Sequence, residues 1–424
     1  MLIEFRVENH RSIRDEQVLT MEVGRRGAQS DPRPRDVPGC TKKVLPVAAI
    51  YGANASGKSN VLAALATMTD AVTLSLRNWS PDEGIPQEPF AWGLKRGEST
   101  KFEIVIALDG TRYRYGFEFN NRVFLKEWLY AWPKGKKQTW LDRAEDNFSF
   151  GENLRGENKI IQDVTRPNAL FLSAAAQLKH PQLSPIYSWF ASIETINLQT
   201  RKQTLGPRFF GASHSEYVIA SILDEASQPT LSREEDPSDS LVGRFKSLLK
   251  NADLGIVDVR AVRREQGSRT RPWQIELKHR SEADDGWLPL EEESRGTKTL
   301  FRLAVPVLKA IELGRLLVVD ELESSMHPNL AEHIVRQFND PKINSRNAQL
   351  IFSTHDTNLL GTLLGDPVLR RDQVWLTEKD ENGASVLYPL TDFKPRKDEN
   401  IEIGYVQGRY GAIPYLSNFR VTEE

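Results

Sequence analysis

Cysteine is almost absent. Cys40 is the single one in 424 residues, which excludes an internal disulfide and a cysteine-built metal cluster. Long apolar runs are missing as well: no stretch approaches the roughly twenty residues that a bilayer span requires, so no membrane-spanning helix is expected. The opening residues Met1-Leu2-Ile3-Glu4-Phe5-Arg6 alternate as a strand does and lack a basic segment followed by an apolar one, so they do not read as a signal peptide. These absences point to the cytoplasm. Charge excess is missing too, since 56 Lys and Arg against 58 Asp and Glu leave a net −2; any nucleic-acid contact must then be local. His10, His180, His214, His279 and His333 show no pair at metal-ligand spacing with a further ligand nearby and read as structural or surface residues. No heptads persist over several turns, which excludes long coiled-coil arms. What remains, 39% hydrophobic and 27% charged, is enough apolar material for a large core.

What is present is sharper. Gly52-Ala53-Asn54-Ala55-Ser56-Gly57-Lys58-Ser59 fits the phosphate-binding P-loop pattern G-x-x-x-x-G-K-[ST]. The apolar run Val47-Ala48-Ala49-Ile50-Tyr51 enters it as a buried strand would, and Val61, Leu62, Leu65, Met68 and Val72 leave it at helical spacing. Glycines let successive N–H groups curl toward phosphate oxygens, and the helix N-terminus adds its positive end. Gly52, Asn54, Gly57, Lys58, Ser59 and Asn60 are therefore expected to hold a nucleoside triphosphate, with Lys58 reaching the β- and γ-phosphates and Ser59 holding Mg²⁺. No guanine-reading N-K-x-D stands at a strand end, which favours ATP.

Downstream, Leu316-Leu317-Val318-Val319 reads as a buried strand ending in Asp320-Glu321. That position suits a carboxylate on Mg²⁺, Asp320, and an adjacent base that polarises the attacking water, Glu321. Gln349-Leu350-Ile351-Phe352-Ser353 reads as another buried strand and delivers Thr354-His355-Asp356, where His355 is placed to meet a γ-phosphate. Upstream of both, Ser294-Arg295-Gly296-Thr297 precedes a helix marked by Leu300, Leu303, Val307, Leu308 and Ile311; Ser294, Gly296 and the helix start suit a second anion contact.

The order P-loop, S-x-G-T, Asp-Glu, His resembles the ABC-type ATPases, including the SMC, RecF and OLD-like branch. The resemblance implies an α/β ABC-type head, a mixed sheet with flanking helices plus an antiparallel β-subdomain, in which Ser294 to Thr297 form the signature, Leu322 to His327 the D-loop, and His355 the switch histidine. The signature of one subunit then caps the ATP of the other, so a head-to-tail homodimer or higher oligomer is implied. Phe5 to Glu16 looks like the opening strand of this branch, with Arg11 and Ser12 near the nucleotide and His10 where an aromatic is usual. Together with Pro89-Phe90, Asn168 to Ser173, Asp320 to Pro328 and Lys397 to Pro414, the chain resembles the AAA-domain subfamily fifteen ATPases, the RloA or AbiLi-like proteins. That resemblance implies a Mg²⁺-dependent ATPase of anti-phage defence that gates or scaffolds a separately encoded effector, a nuclease being one class. The alternative is a RecF-like DNA-repair ATPase acting directly on DNA.

Organisation follows the same reading. Residues 1–180 are expected to form the N-terminal half of the head, with the P-loop and a β-subdomain. There Lys101 to Leu108 and Tyr113 to Phe119 form a hairpin about Asp109-Gly110, followed by a strand from Val123 to Tyr130. Gln87 is read either as the class's Q-loop residue or as a plain loop glutamine. Residues 181–255 are expected to be a helical insertion, a partner-docking element or a cap, with an exposed loop over Ala226 to Ser240. Residues 256–424 complete the head. The basic stretch Arg260 to Arg280, with Arg263, Arg264, Arg269, Arg271, Trp273 and Lys278, reads as a hairpin that either binds nucleic acid or has a solvated face. His327 either crosses the dimer interface or starts the helix at Pro328.

Overall fold

The computed structural model describes residues 1–24, 31–198, 219–224, 240–252, 255–263, 273–281, 286–361, 367–396 and 399–414. Tyr217, most of the Ala226 to Ser240 loop, Arg264, Arg269, Arg271, Lys397 and Asp398 lie outside them. In the first half the strands are β1 Leu2–Glu8, β2 Gln17–Thr20, β3 Val47–Gly52, β4 Thr100–Leu108, β5 Thr111–Phe119, β6 Phe124–Trp132, β7 Gln138–Ala144 and β8 Asn147–Phe150. The second half adds β9 Glu194–Ile196, β10 Ile256–Arg263, β11 Trp273–His279, β12 Trp287–Pro289, β13 Leu316–Val319, β14 Gln349–Ser353, β15 Val374–Lys379 and β16 Ser385–Pro389.

The described residues form three sheets. β2-β1-β4-β5-β6-β7-β8 is an antiparallel sheet of seven strands, β10-β11-β12 an antiparallel sheet of three, and β16-β15-β3-β14-β13-β9 a mixed sheet of six. In the last sheet β15, β3, β14, β13 and β9 run parallel and β16 closes the edge antiparallel. Parallel strands covered on both faces should be continuously apolar, and β3, β13 and β14 are buried at every position. Alternation then sends their side chains into two cores. Ala48, Ile50, Leu316, Val318 and Ile351 face the core shared with the helix α1, Lys58–Leu74, and the seven-stranded sheet. Val47, Ala49, Leu317, Val319, Leu350 and Phe352 face the helices Arg295–Leu313 and Pro328–Asn339 on the other side. Gln349 ties the layers together, accepting from the Leu2 amide at 2.5 Å and donating to the carbonyls of Leu2 and Leu45 at 2.9 and 3.1 Å.

The Asp109-Gly110 hairpin forms as expected, both residues having positive φ, 48° and 74°, the conformation a tight two-residue turn between right-twisted strands requires. Segment 181–255 differs from its expected helical character. It carries the helices Ser184–Ala191 and Leu241–Asn251, but between them β9 pairs with β13 in parallel, Thr195 opposite Val318, and forms the edge of the six-stranded sheet. Backbone hydrogen bonds to a neighbouring strand, rather than any local periodicity, make these three residues a strand.

Candidate nucleotide site

The site grows from the ends of adjacent parallel strands, where open α/β sheets place their ligands. β14 lies between β3 and β13, with Ser353 opposite Ile50 and Phe352 opposite Val319. Three loops therefore leave one edge side by side: the P-loop after β3, Asp320-Glu321 after β13, and Thr354-His355 after β14.

The P-loop turns into α1 through Gly57, whose φ of 117° is closed to ordinary side chains. A Cβ at Gly57 would also overlap the Ser385 hydroxyl. Ser385 Oγ donates to the Ser56 carbonyl at 2.6 Å, and Ser56 Oγ meets Thr377 Oγ1 at 2.7 Å. Ser12 joins the same wall, meeting Ser385 Oγ at 2.7 Å and accepting from Asn60 Nδ2 at 2.7 Å. Asn60 thus directs its amide to the wall of the loop. Asn54 lies exposed at its tip.

Lys58 is buried, and its ammonium donates to the carbonyls of Gly52 and Ala53 at 2.9 and 3.1 Å. Burial lowers its pKa, and the carboxylates of Asp320, Glu321 and Glu323 oppose that shift. Ser59 Oγ donates to Asp320 Oδ1 at 3.1 Å, and Ser353 Oγ donates to the same oxygen at 2.5 Å. The Glu321 amide donates to Ser353 Oγ at 2.8 Å, and Asn197 Nδ2 donates to the Asp320 carbonyl at 3.1 Å. Glu321 itself is exposed and left-handed, φ 52°, a conformation that costs a residue with a Cβ about 1 kcal/mol or more and that accumulates at functional sites. The His355 amide donates to Glu323 Oε1 at 2.6 Å, while Glu323 Oε2 is buried without a hydrogen-bond partner. Partial enclosure of the His355 ring, and then the nearby Lys58 ammonium, push its imidazole below the usual value.

The structure thus brings Gly52, Gly57, Lys58, Ser59, Asp320, Glu321 and His355 to one place. Ser294 and Gly296 make their contacts with other residues. Ser294 caps the helix Arg295–Leu313, its Oγ accepting from the Thr297 amide at 3.1 Å, and a Cβ at Gly296 would press on the Ser325 carbonyl at 2.6 Å. Arg11 is held by Glu88, backbone amide to carbonyl at 2.7 Å and Nε to Oε2 at 2.8 Å. His10 turns inward, fully buried with both ring nitrogens unpartnered and its ring edge-on to Phe102. Gln87 donates from its side-chain amide to the Glu98 carbonyl at 2.9 Å and to Thr100 Oγ1 at 3.2 Å. His327 caps the start of the helix Pro328–Asn339, Nδ1 accepting from the Asn329 amide at 3.2 Å.

Ser353, Asn197, Thr377 and Ser385 had no sequence motif to announce them, and Glu323 was announced only as part of the D-loop segment. Only for Ser353 was a signal available, a hydroxyl ending an otherwise apolar strand. Among the described residues no group of three or more His, Cys, Asp or Glu could hold a metal, and no helix is long and apolar enough to cross a membrane. A hydroxyl and a carboxylate at Ser59 and Asp320 nonetheless suit Mg²⁺, a hard cation that takes few protein oxygens and completes its shell from phosphate and water.

Comparison with known families matches residues 47–361 to the family described as "AAA domain, putative AbiEii toxin, Type IV TA system". Compared with curated proteins, the chain matches none. Among solved structures it is similar to an Smc head bound to the C-terminal winged-helix domain of ScpA, at 14% identity over 91% of this chain and 96% of the other, TM-score 0.41. It is also similar to an Smc head domain with an extended coiled coil bound to the C-terminal domain of ScpA from Pyrococcus furiosus, at 13% identity over 91% and 95%, TM-score 0.41.

Proposed function

Since this chain belongs to that AAA-domain family, a family of P-loop ATPases, we propose that it hydrolyses ATP in a head-to-tail dimer of the ABC type. We further propose that the cycle gates a separately encoded effector in anti-phage defence, in the manner of the RloA or AbiLi-like ATPases. The observation that carries the reading is the run of contacts Ser59–Asp320–Ser353–Glu321 beside the buried Lys58.

Lys58 is an ammonium taken out of water with only two neutral carbonyls as partners, so a phosphate that replaces them gains a strong charge-assisted bond. Ser59 and Asp320 are the residues that would hold Mg²⁺, which would supply charge neutralisation on the phosphate oxygens. Glu321 orients water and takes its proton. His355, whose imidazole is held below its usual value by burial and the Lys58 ammonium, donates a hydrogen bond to the charge that develops. Ser294 and Gly296 make their contacts within their own turn and with Ser325, which leaves the helix start to cap the phosphate of a second copy. Segment 181–255 is the proposed place of effector docking.

The RecF-like reading predicts a basic DNA-facing surface. Its best candidate, the β10–β11 hairpin, directs Arg260 over the Trp287 ring and onto Glu276, and Arg263 over the Trp273 ring. Cations so engaged are poor phosphate contacts, which favours the effector reading.

Mass photometry and ATPase rates on wild type, Glu321→Gln and Ser294→Ala, with and without DNA, test this. ATP-dependent dimers that accumulate in Glu321→Gln, with turnover lost in Ser294→Ala and indifferent to DNA, are expected. A monomer that hydrolyses ATP at a rate independent of Ser294 would sink the dimer, and stimulation by DNA would put the repair ATPase first.

A further inference from the structure

Beside the P-loop stands a segment that none of its chemistry uses. Residues 86–99 lead from α1 toward β4, and within them Phe90 is buried while the Trp92 side chain is 60% exposed. The backbone there is tied down. Asn9 Nδ2 donates to the carbonyls of Lys95, Glu98 and Ser99 at 2.8 to 3.0 Å, and the Phe90 amide donates to Asn9 Oδ1 at 2.9 Å. Phe90 then braces Trp92 edge-to-face at 5.1 Å. An indole is thus presented to solvent on a fixed support, where its ordering entropy is already spent.

Its position gives it a ligand. A Cβ at Gly383, in the β15–β16 turn, would sit 3.1 Å from the indole. Two residues on, Ser385 bonds the Ser56 carbonyl and fills the space beside Gly57. The indole thus packs on the turn that leads, within two residues, to the side chain bracing the P-loop. Arg11 borders the same segment through Glu88, and Ser12 beside it touches both Asn60 and Ser385.

We propose that Trp92 is the platform on which the nucleotide's base stacks. The inference rests on the nucleotide reading above and deepens it: the P-loop grips phosphates and is blind to the base, while a braced aromatic face offers any flat heterocycle a stacking surface. Trp92 binds the part of the ligand that does not react, so it governs affinity and leaves the chemical step alone.

Calorimetric titration of wild type, Trp92→Ala and Trp92→Phe with ATP and with inorganic tripolyphosphate, both with Mg²⁺, tests this. Trp92→Ala should raise the Kd for ATP about tenfold, leave tripolyphosphate within about twofold, and be largely rescued by Trp92→Phe. Equal losses for both ligands would mean that the residue only shapes the P-loop and would overturn the proposal. So would unchanged ATP affinity accompanied by lost dimers, which would give the indole to a second copy. A wild type that binds neither ligand overturns the nucleotide reading itself, and the inference with it.

Discussion

Two groups of charged side chains stand at helix or strand ends in this protein, and they are finished in opposite ways. Glu127 on β6 is fully buried and spends both oxygens: it accepts from the Tyr115 hydroxyl at 2.9 Å and from the Phe171 and Leu172 amides at 2.7 and 3.1 Å, with Arg143 at 3.4 Å. Arg143, equally buried, also donates to the carbonyls of Ala169 and Glu145. That cluster pins the start of the helix Phe171–Gln177 to the seven-stranded sheet and has no capacity left for a ligand. Around the P-loop, Lys58 has only its own loop's carbonyls, Glu323 keeps a buried oxygen unpartnered, and Glu321 is held in a strained conformation. A charge with all its bonds made fastens the fold; a charge with bonds outstanding waits for something.

The largest effect should come from the open group. Glu321→Gln is expected to lower kcat by about 10²- to 10⁴-fold with an unchanged melting temperature, read by steady-state ATPase assay and calorimetry on the same sample. The closed group should answer in reverse: Glu127→Ala leaves the Arg143 guanidinium buried and unpaired and should cost about 3–5 kcal/mol in urea unfolding, with ATP affinity per folded molecule retained. If Glu127→Ala proved neutral for stability, the contrast would collapse.

His10 sharpens it from a third side, being buried with no partner at all. The unfolded chain protonates this imidazole below about pH 6.5, whereas the desolvated ring in the fold stays neutral down to about 3. Between those values the unfolded state binds more protons, so stability is lost as the pH falls. Urea unfolding should show about 2 kcal/mol lost from this source between pH 7 and pH 5, and His10→Phe should flatten that slope. Smaller again, Glu321→Gly should relieve the left-handed strain and raise unfolding free energy by up to about 1 kcal/mol while abolishing turnover. The smallest effect belongs to Arg263→Glu, which should leave DNA retention at low salt unchanged because that guanidinium lies over Trp273.

Sequence made the parallel strands readable because both their faces are covered: β13 is an unbroken apolar run, β3 is apolar up to Gly52, and β14 is apolar between Gln349 and Ser353. The Asp109-Gly110 turn was legible for a local reason, its positive φ pair. β9 was not, since three residues hold no period and only the neighbour β13 makes them a strand. The site divides likewise. Lys58, Ser59 and Asp320 carry a spacing or a strand-end position, whereas Thr377 and Ser385 reach the P-loop from more than 300 residues away through hydroxyls 2.6 to 2.7 Å from their partners. Gln87 lay two residues from a recognisable Pro-Phe pair, yet its amide donates to the Glu98 carbonyl, a contact that needs the loop's path to be seen.

The P-loop's supporting wall has a consequence for any attempt to isolate this domain by its motifs. The family match runs from 47 to 361, and a fragment cut there would keep the lysine, both strand-end acids and the histidine. It would lose Ser12, Thr377 and Ser385, and with β15 and β16 gone β3 would become a bare margin of the sheet, its outer amides and carbonyls turned to solvent or to another molecule. Such a fragment would score as a complete nucleotide-binding unit in any comparison of motifs. In a test tube it would be an open-edged sheet carrying an unsupported loop, and its silence toward ATP would say nothing about the whole chain.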